Sequence, residues 1–259
     1  MTGSRASWRP TDLELLGLQA EMVMDDRRRL AGVCGTTICV APNGQIVVVG
    51  SEVSDRLADE IREAVANAPL ASAPDIEPPA LAACRAILEP ACAPLTVRGG
   101  PYYVFDPGVR SEGCGPVVRS DAPPDERLRR LNPGNWRPGE WDDLLDGDLG
   151  PWAMLLLDDR VVSICHTPRP MTERAAECGV WTDPAYRGRG YAAEVTATWA
   201  DILRPSRRFL FYSTDAANLS SQRVAARLEL RPIGWTWKVM RDTGRLSDSR
   251  HPLRRSSRG

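Results

Sequence analysis

Arg187-Gly188-Arg189-Gly190-Tyr191-Ala192 stands between a strand-like run, Cys178-Gly179-Val180-Trp181-Thr182, and a helix-like run opening on Ala193-Glu194-Val195. A short Asp183-Pro184 turn separates it from the strand. Glycines feeding a helix N-terminus make an anion site. The first N–H groups of a helix have no intrahelical partner, and the positive end of its dipole lies there. Gly188 and Gly190 carry no Cβ, so a phosphate can come close to the main chain. The stretch therefore predicts a loop that grips a pyrophosphate.

Two kinds of protein use such a turn. Gly188-x-Gly190-x-x-Ala193 formally satisfies the dinucleotide fingerprint, and the next strand-like run, Arg208 to Ser213, ends near an acid, Asp215. That reading has a spacing fault. The dinucleotide turn starts where its strand ends, whereas Asp183-Pro184-Ala185-Tyr186 intervenes here, and few residues remain for a second mononucleotide half. An NAD-binding oxidoreductase is thus the third choice.

Arg187-x-x-Gly190-x-Ala192 also fits the (Gln/Arg)-x-x-Gly-x-(Gly/Ala) signature of the GNAT acyltransferases, and the resemblance extends past the signature. Glu177 to Gly190 resembles that family's fourth strand and pyrophosphate loop. Asn218-x-x-Ser221-x-x-Val224-Ala225-x-x-Leu228 resembles its next helix, and Ile233-Gly234-Trp235-Thr236-Trp237 the strand that follows. The resemblance covers roughly residues 124–240 in family order. It implies an α+β fold for the C-terminal part: the GNAT fold, a mixed, mostly antiparallel sheet flanked by helices.

The resemblance also implies a site. Acetyl-CoA would be the acyl donor, with its pantetheine arm between two splayed strands that end near Thr182 and Ser213. The main chain of Val180, Trp181 and Thr182 would bond the arm like an added strand, and Gly179 would be the bulge that opens the gap. The pyrophosphate would lie on the N–H groups of Gly188, Arg189, Gly190, Tyr191, Ala192 and Ala193, with Arg187 and Arg189 adding charge-assisted bonds. Asn218 and Ser221 fall at helix positions near the arm, although Asn218 also suits a helix cap. An alkyl ammonium has a pKa near ~10, so amide formation needs a proton acceptor. Glu177, just before the bulge, is the expected base, with Glu173 and Asp215 as weaker choices. The tyrosine that often protonates the leaving thiolate is replaced by Ala225. The acid is left unassigned, and nothing in the spacing selects Tyr191 or Tyr212. Glu229 stands where a glycine usually ends the helix. Cys178 as an acyl-carrying nucleophile would need an activator, and His166 is distant in sequence and read as structural.

The expected activity is therefore an acyl-CoA-dependent N-acetyltransferase acting by direct transfer to a primary amine, either a small molecule or a protein. A non-catalytic acyl-CoA-binding sensor is the alternative. A net charge of −1 gives no global pull toward nucleic acid. No apolar run approaches the ~20 residues that span a bilayer, and Met1 to Pro10 lacks a signal-peptide core. A cytoplasmic location without membrane partners is expected. The seven cysteines form no C-x-x-C pair and only two histidines exist. Neither a metal site nor a disulfide framework is expected, and buried thiols are the reading.

Along the chain, Thr11-x-x-Glu14 reads as a capping box. Thr37–Val40 and Gln45–Val49 around Pro42-Asn43-Gly44 read as a hairpin. Ser51 reads as the cap of a second helix. A short helix near Leu81–Leu88 and a hairpin through Gly99-Gly100 follow. The Pro, Gly and Ser in 106–124 put the domain boundary there. The division is 1–120, an α/β region; 121–240, the GNAT domain; and 241–259, a disordered basic tail. A degenerate second copy of the same fold, as in some two-part members of the superfamily, is one reading of residues 1–120, which carry no glycine loop.

Overall fold

The computed structural model describes residues 9–110, 113–123 and 125–243. Most of the basic tail therefore lies outside the described residues. The chain forms two compact units, one running up to Pro101 and including Ile233–Arg241, the other Tyr102–Pro232. The division falls upstream of the 106–124 segment. That segment belongs to the second unit because Val109 and Val117 pack into its core.

In the first unit, helix α1 (Asp12–Glu21) starts on the expected capping box: Glu14 N–H donates to Thr11 Oγ1, and Thr11 N–H to the Glu14 carboxylate. Strands β1 (Gly35–Ala41) and β2 (Gly44–Val49) pair antiparallel around Pro42-Asn43. Helix α2 (Asp55–Asn67) is capped by Ser54, whose Oγ accepts from Leu57 N–H. Ser51, the expected cap, instead accepts from Gly32 N–H. Helix α3 (Ala80–Cys92) follows, then strand β3 (Leu95–Val104).

Two further expectations fail in this unit. Gly99-Gly100 is not a hairpin: β3 runs straight through it. The glycine is needed for packing instead, since a Cβ on Gly99 would stand 2.7 Å from Trp235 Nε1 and 3.0 Å from Trp237 Cε3. Cys34 and Cys92 form a disulfide with Cα atoms 5.7 Å apart, although 58 residues separate them in sequence. Cys39, Cys84, Cys165 and Cys178 are buried thiols, as expected.

The second unit opens with the end of β3 and strand β4 (Val117–Arg119). The expected helix near 125–131 is a 3-10 turn, Glu126–Arg130, followed by helix α4 (Pro138–Leu145). Strands β5 (Trp152–Leu157) and β6 (Arg160–His166) form a hairpin whose turn residues, Asp158 and Asp159, both have positive φ (48° and 56°). That geometry matches the right-handed strand twist. Next come β7 (Ala175–Glu177), β8 (Gly179–Thr182), helix α5 (Tyr191–Leu203), β9 (Phe209–Ser213) and helix α6 (Leu219–Arg227). The last strand, β10 (Arg231–Arg241), returns to the first unit and pairs antiparallel with β1. It therefore does not belong wholly to a 121–240 domain.

Strands β4, β5, β6 and β8 lie side by side, all antiparallel. Alternation sorts their side chains. Ala153, Leu155, Cys165 and Val180 pack under Val195 and Trp199 of α5. Trp152, Met154, Ile164 and Trp181 face Leu128, Trp141 and Leu144 from the 3-10 turn and α4. Strand β7 pairs parallel with β9, and β9 pairs antiparallel with Tyr102–Val104 at the end of β3. This is the mixed, mostly antiparallel α+β arrangement that the resemblance implies.

Helix α6 ends with Leu230 N–H on the Ala225 carbonyl and Glu229 N–H on the Ala226 carbonyl. This is a Schellman motif, with Glu229 in the left-handed position at φ 50°. A side chain there costs about 1–2 kcal/mol. Glu229→Gly is expected to raise stability by about 0.5–1 kcal/mol after the entropy of the more flexible unfolded chain is set against that relief. Urea denaturation checks it, and a lower midpoint would contradict it.

Candidate acyl-donor site

A strand-like run of ten residues is expected over 173–182, and the chain instead breaks it at Cys178. Up to that residue the run belongs to β9: Glu177 pairs with Phe211, and Cys178 N–H donates to the Phe211 carbonyl. From Gly179 onward it belongs to β6, with Gly179 opposite His166 and Thr182 opposite Ser163. One continuous segment thus leaves one sheet for another, and β8 and the end of β9 part beyond Cys178. Val180, Trp181 and Thr182 lie on β8, the last strand of its sheet, so among the described residues one edge of their main chain has no strand neighbour. Gly179 sits at the break. A Cβ there would meet Pro168 Cγ at 3.0 Å and His166 Cε1 at 3.4 Å.

Beyond Thr182, a 3-10 turn (Pro184–Tyr186) leads into the glycine loop. Gly188 and Gly190 have φ of 77° and 86°, in the left-handed region that glycine enters without cost. Gly190 is the N-cap of α5, and its carbonyl takes the first intrahelical bond, from Glu194. The N–H groups of Tyr191, Ala192 and Ala193 precede that bond. Arg227, from the end of α6, lies against the turn, its Cζ 3.0 Å from where a Gly190 Cβ would be. Arg110 and Arg227 line a small cavity with Gly190 and Ala193. Glu194, 4% exposed, accepts from the N–H groups of Gly113 and Cys114.

The two loop arginines have partners within the protein. Arg187 Nε donates to the Thr182 carbonyl at 3.2 Å, tying the loop to the end of β8. The Arg189 guanidinium lies 5.4 Å from the centroid of the Tyr186 ring. Asn218 caps α6, its side chain accepting from Ser221 N–H. Ser221 Oγ bonds the hydroxyl of Tyr212. Burial pushes that phenol well above the usual tyrosine range, and Ala225 is fully buried.

Glu177 is 3% exposed at the foot of the break. Ser213 Oγ donates to its Oε1, and Arg169 Nη1 lies 3.4 Å from its Oε2. The carboxylate's charge raises the Arg169 pKa, against the opposing effect of burial. Burial beside the Cys165 thiol holds the Cys178 thiol protonated, which removes it as a nucleophile. Glu173 and Asp215 are exposed, and Asp215 Oδ1 accepts from Ala217 N–H in a turn. Local pattern carried no signal for Arg169, Ser213 or His166. The last is brought to Gly179 by strand register alone.

Residues 105–231 match the family model described as an acetyltransferase (GNAT) domain. The span is close to that of the second unit, which therefore carries a GNAT-type acetyltransferase domain. Among solved structures, the chain is similar to a GNAT-family protein from Novosphingobium aromaticivorans (22% identity, 57% of this chain and 66% of that one, TM-score 0.43). It is similar also to a GNAT-family acetyltransferase from Colwellia psychrerythraea (12% identity, 89% and 96%, TM-score 0.47). A third is an N-acetyltransferase-like protein from Streptococcus suis (15% identity, 84% and 86%, TM-score 0.43). The chain spans just under two thirds of the Novosphingobium protein. No curated protein sequence matches the chain. Among the described residues, no helix is long and apolar enough to cross a membrane.

Proposed function

We propose that this protein transfers an acetyl group from acetyl-CoA to a primary amine, by direct attack with both substrates bound. The observation that carries the reading is the strand break at Cys178 followed, eight residues after Thr182, by the glycine-capped start of α5. The loop from Gly188 to Ala193 would hold the pyrophosphate. The outer edge of Val180–Thr182 would bond the arm, directed back along β8 toward Gly179. In the reaction, the amine nitrogen bonds to the thioester carbonyl carbon, the C–S bond breaks, and the nitrogen sheds a proton.

Glu177 belongs to this proposal as the ionised group of the site. One oxygen accepts from Ser213 and the other faces Arg169, so the carboxylate is satisfied as an anion, and taking up a proton would forfeit the ion pair. Its charge favours the positive charge that develops on the attacking nitrogen, and water links it to the amine's proton. Arg187 has a second role here, fixing the loop to Thr182. Asn218 and Ser221 support the slot through the α6 cap and Tyr212.

The acceptor in this proposal is a small amine or a protein amine. The cytoplasmic location belongs to the same proposal. The Cys34–Cys92 bridge runs against the all-thiol expectation behind it, because disulfides persist mainly in oxidising compartments.

Calorimetry with acetyl-CoA, free coenzyme A and NAD, each alone, tests the reading. Acetyl-CoA and coenzyme A are expected to bind at one site per chain and NAD not at all. An amine library assayed for thiol release then separates a transferase from a sensor. NAD binding without coenzyme A binding would overturn the proposal, and two acetyl-CoA sites would restore a working duplicate in residues 1–120.

A further inference from the structure

We propose that Arg227, on helix α6, supplies the charge that holds the acyl donor's pyrophosphate at the entrance of α5, a role expected of the loop arginines. This deepens the reading above and rests on it. The Arg227 guanidinium lies against the turn. Its Cζ and Nη1 are 3.0 Å, and its Nη2 3.2 Å, from the position a Gly190 Cβ would take. Gly190 is the N-cap of α5. The missing side chain therefore makes room for the guanidinium as well as for a phosphate. A diphosphate seated on the N–H groups of Tyr191, Ala192 and Ala193 meets a planar cation whose paired N–H groups match two phosphate oxygens.

The fold brings this side chain to the loop. Ala225, Leu228 and Leu230, at and beyond the end of α6, are buried in one core with Ala193, Val195 and Ala197 of α5. Arg227 stands between these anchors, exposed in the last turn of its helix. A cation there suits the helix dipole without touching another element, yet this one reaches across to the start of α5. The loop's own arginines are turned elsewhere. Arg187 Nε donates to the Thr182 carbonyl, and the Arg189 guanidinium lies over the Tyr186 ring.

The charges around the entrance favour an anion. Arg110, Arg227 and Glu194 line the small cavity there with Gly190 and Ala193. Arg110 Nη1 donates to the Pro107 and Val109 carbonyls, which keeps its charge beside the cavity. Glu194 is the anion of the three. It is 4% exposed, and its Oε2 accepts from the N–H groups of Gly113 and Cys114, so its charge is bound to the main chain. Two cations against one such anion leave the lining positive, as a multiply charged phosphate ligand requires. A guanidinium carries five N–H donors. A bond from Arg227 within the protein therefore leaves donors for a phosphate.

Arg227→Gln is expected to weaken acetyl-CoA binding about 10–10²-fold by calorimetry, the worth of one or two charge-assisted bonds. The thermal midpoint of the ligand-free protein should barely move, as for other exposed side chains. Arg227→Lys keeps the charge without the fork and should lose about 3–10-fold. Arg189→Gln should lose less than about 3-fold. The loss in Arg227→Gln should be the same when acetyl-3′-dephospho-CoA replaces acetyl-CoA, because the pyrophosphate is common to both. A loss that disappears with the dephospho donor puts the guanidinium on the 3′-phosphate and overturns the assignment. Wild-type affinity in Arg227→Gln, or in Arg227→Lys where the glutamine variant does not fold, overturns it too. A larger loss in Arg189→Gln than in Arg227→Gln returns the role to the loop. If acetyl-CoA fails to bind the wild type, the transferase reading falls first and this one with it.

Discussion

Gly190→Val is expected to weaken acetyl-CoA binding by about 10²-fold or more while leaving a folded protein. Two effects combine at this position. Gly190 has φ 86°, where a β-branched residue is a genuine outlier and the cost is about 1–2 kcal/mol. The new side chain would also occupy the helix entrance, with its Cβ 3.0 Å from the Arg227 guanidinium carbon. The guanidinium is the end of a flexible side chain and can move aside, so the fold survives. The N–H groups at the start of α5 do not move, and the valine stands over them. Losing two charge-assisted bonds at roughly 1.5 kcal/mol each gives about 3 kcal/mol, or about 10²-fold in affinity. Gly147→Val is the control. Its φ is 89°, and nothing lies within 4 Å of a Cβ there. That variant carries a similar backbone strain away from the loop and should bind acetyl-CoA normally. Wild-type affinity in folded Gly190→Val would remove the loop from the donor site.

What the sequence made legible is local. The glycine turn that starts α5, the Thr11 box and the Asn218 cap each depend on residues within four positions of one another, and each of these local shapes is present. The glycine turn needs backbone conformation more than side-chain partners, so its shape can be read from its spelling. What was not legible depends on which strand lies beside which. The break at Cys178 has no local mark, because 173–182 reads as one apolar-polar strand whichever neighbours it takes. Its two halves differ only in their partners, β9 and β6.

The same cause hides the partners of Glu177. Ser213 is 36 residues away and enters through β9, while Arg169 lies in an irregular loop with no period to read. Cys34 and Cys92 illustrate it in the first unit, where counting cysteines could not show that β1 and α3 bring two of seven together. The boundary expected in 106–124 misled for a different reason. Its Pro and Gly content is that of a linker, yet its Val109 and Val117 pack on the core of the second unit. Composition reports backbone freedom, and burial of a few well-placed apolar side chains overrides it.

Glu177→Gln is expected to lower turnover by about 10²–10⁴-fold, the scale of a lost proton-transfer group, with acetyl-CoA affinity retained. Glutamine keeps the size of the side chain and an oxygen for Ser213, but removes the charge that faces Arg169. The variant should also lose stability, because a guanidinium then lacks its counter-charge. Arg169 keeps 28% of its side chain exposed, so solvent screens part of that loss, and no more than about 3 kcal/mol is expected. Loss of activity could then reflect a disturbed fold, and the double variant Glu177→Met/Arg169→Met separates the two causes. Replacing both members of a buried pair with apolar groups of similar size is close to neutral for stability. The double variant should therefore recover most of the denaturation midpoint while staying as inactive as Glu177→Gln. Recovery of turnover along with stability would show that Glu177 only holds Arg169 and Ser213 in place.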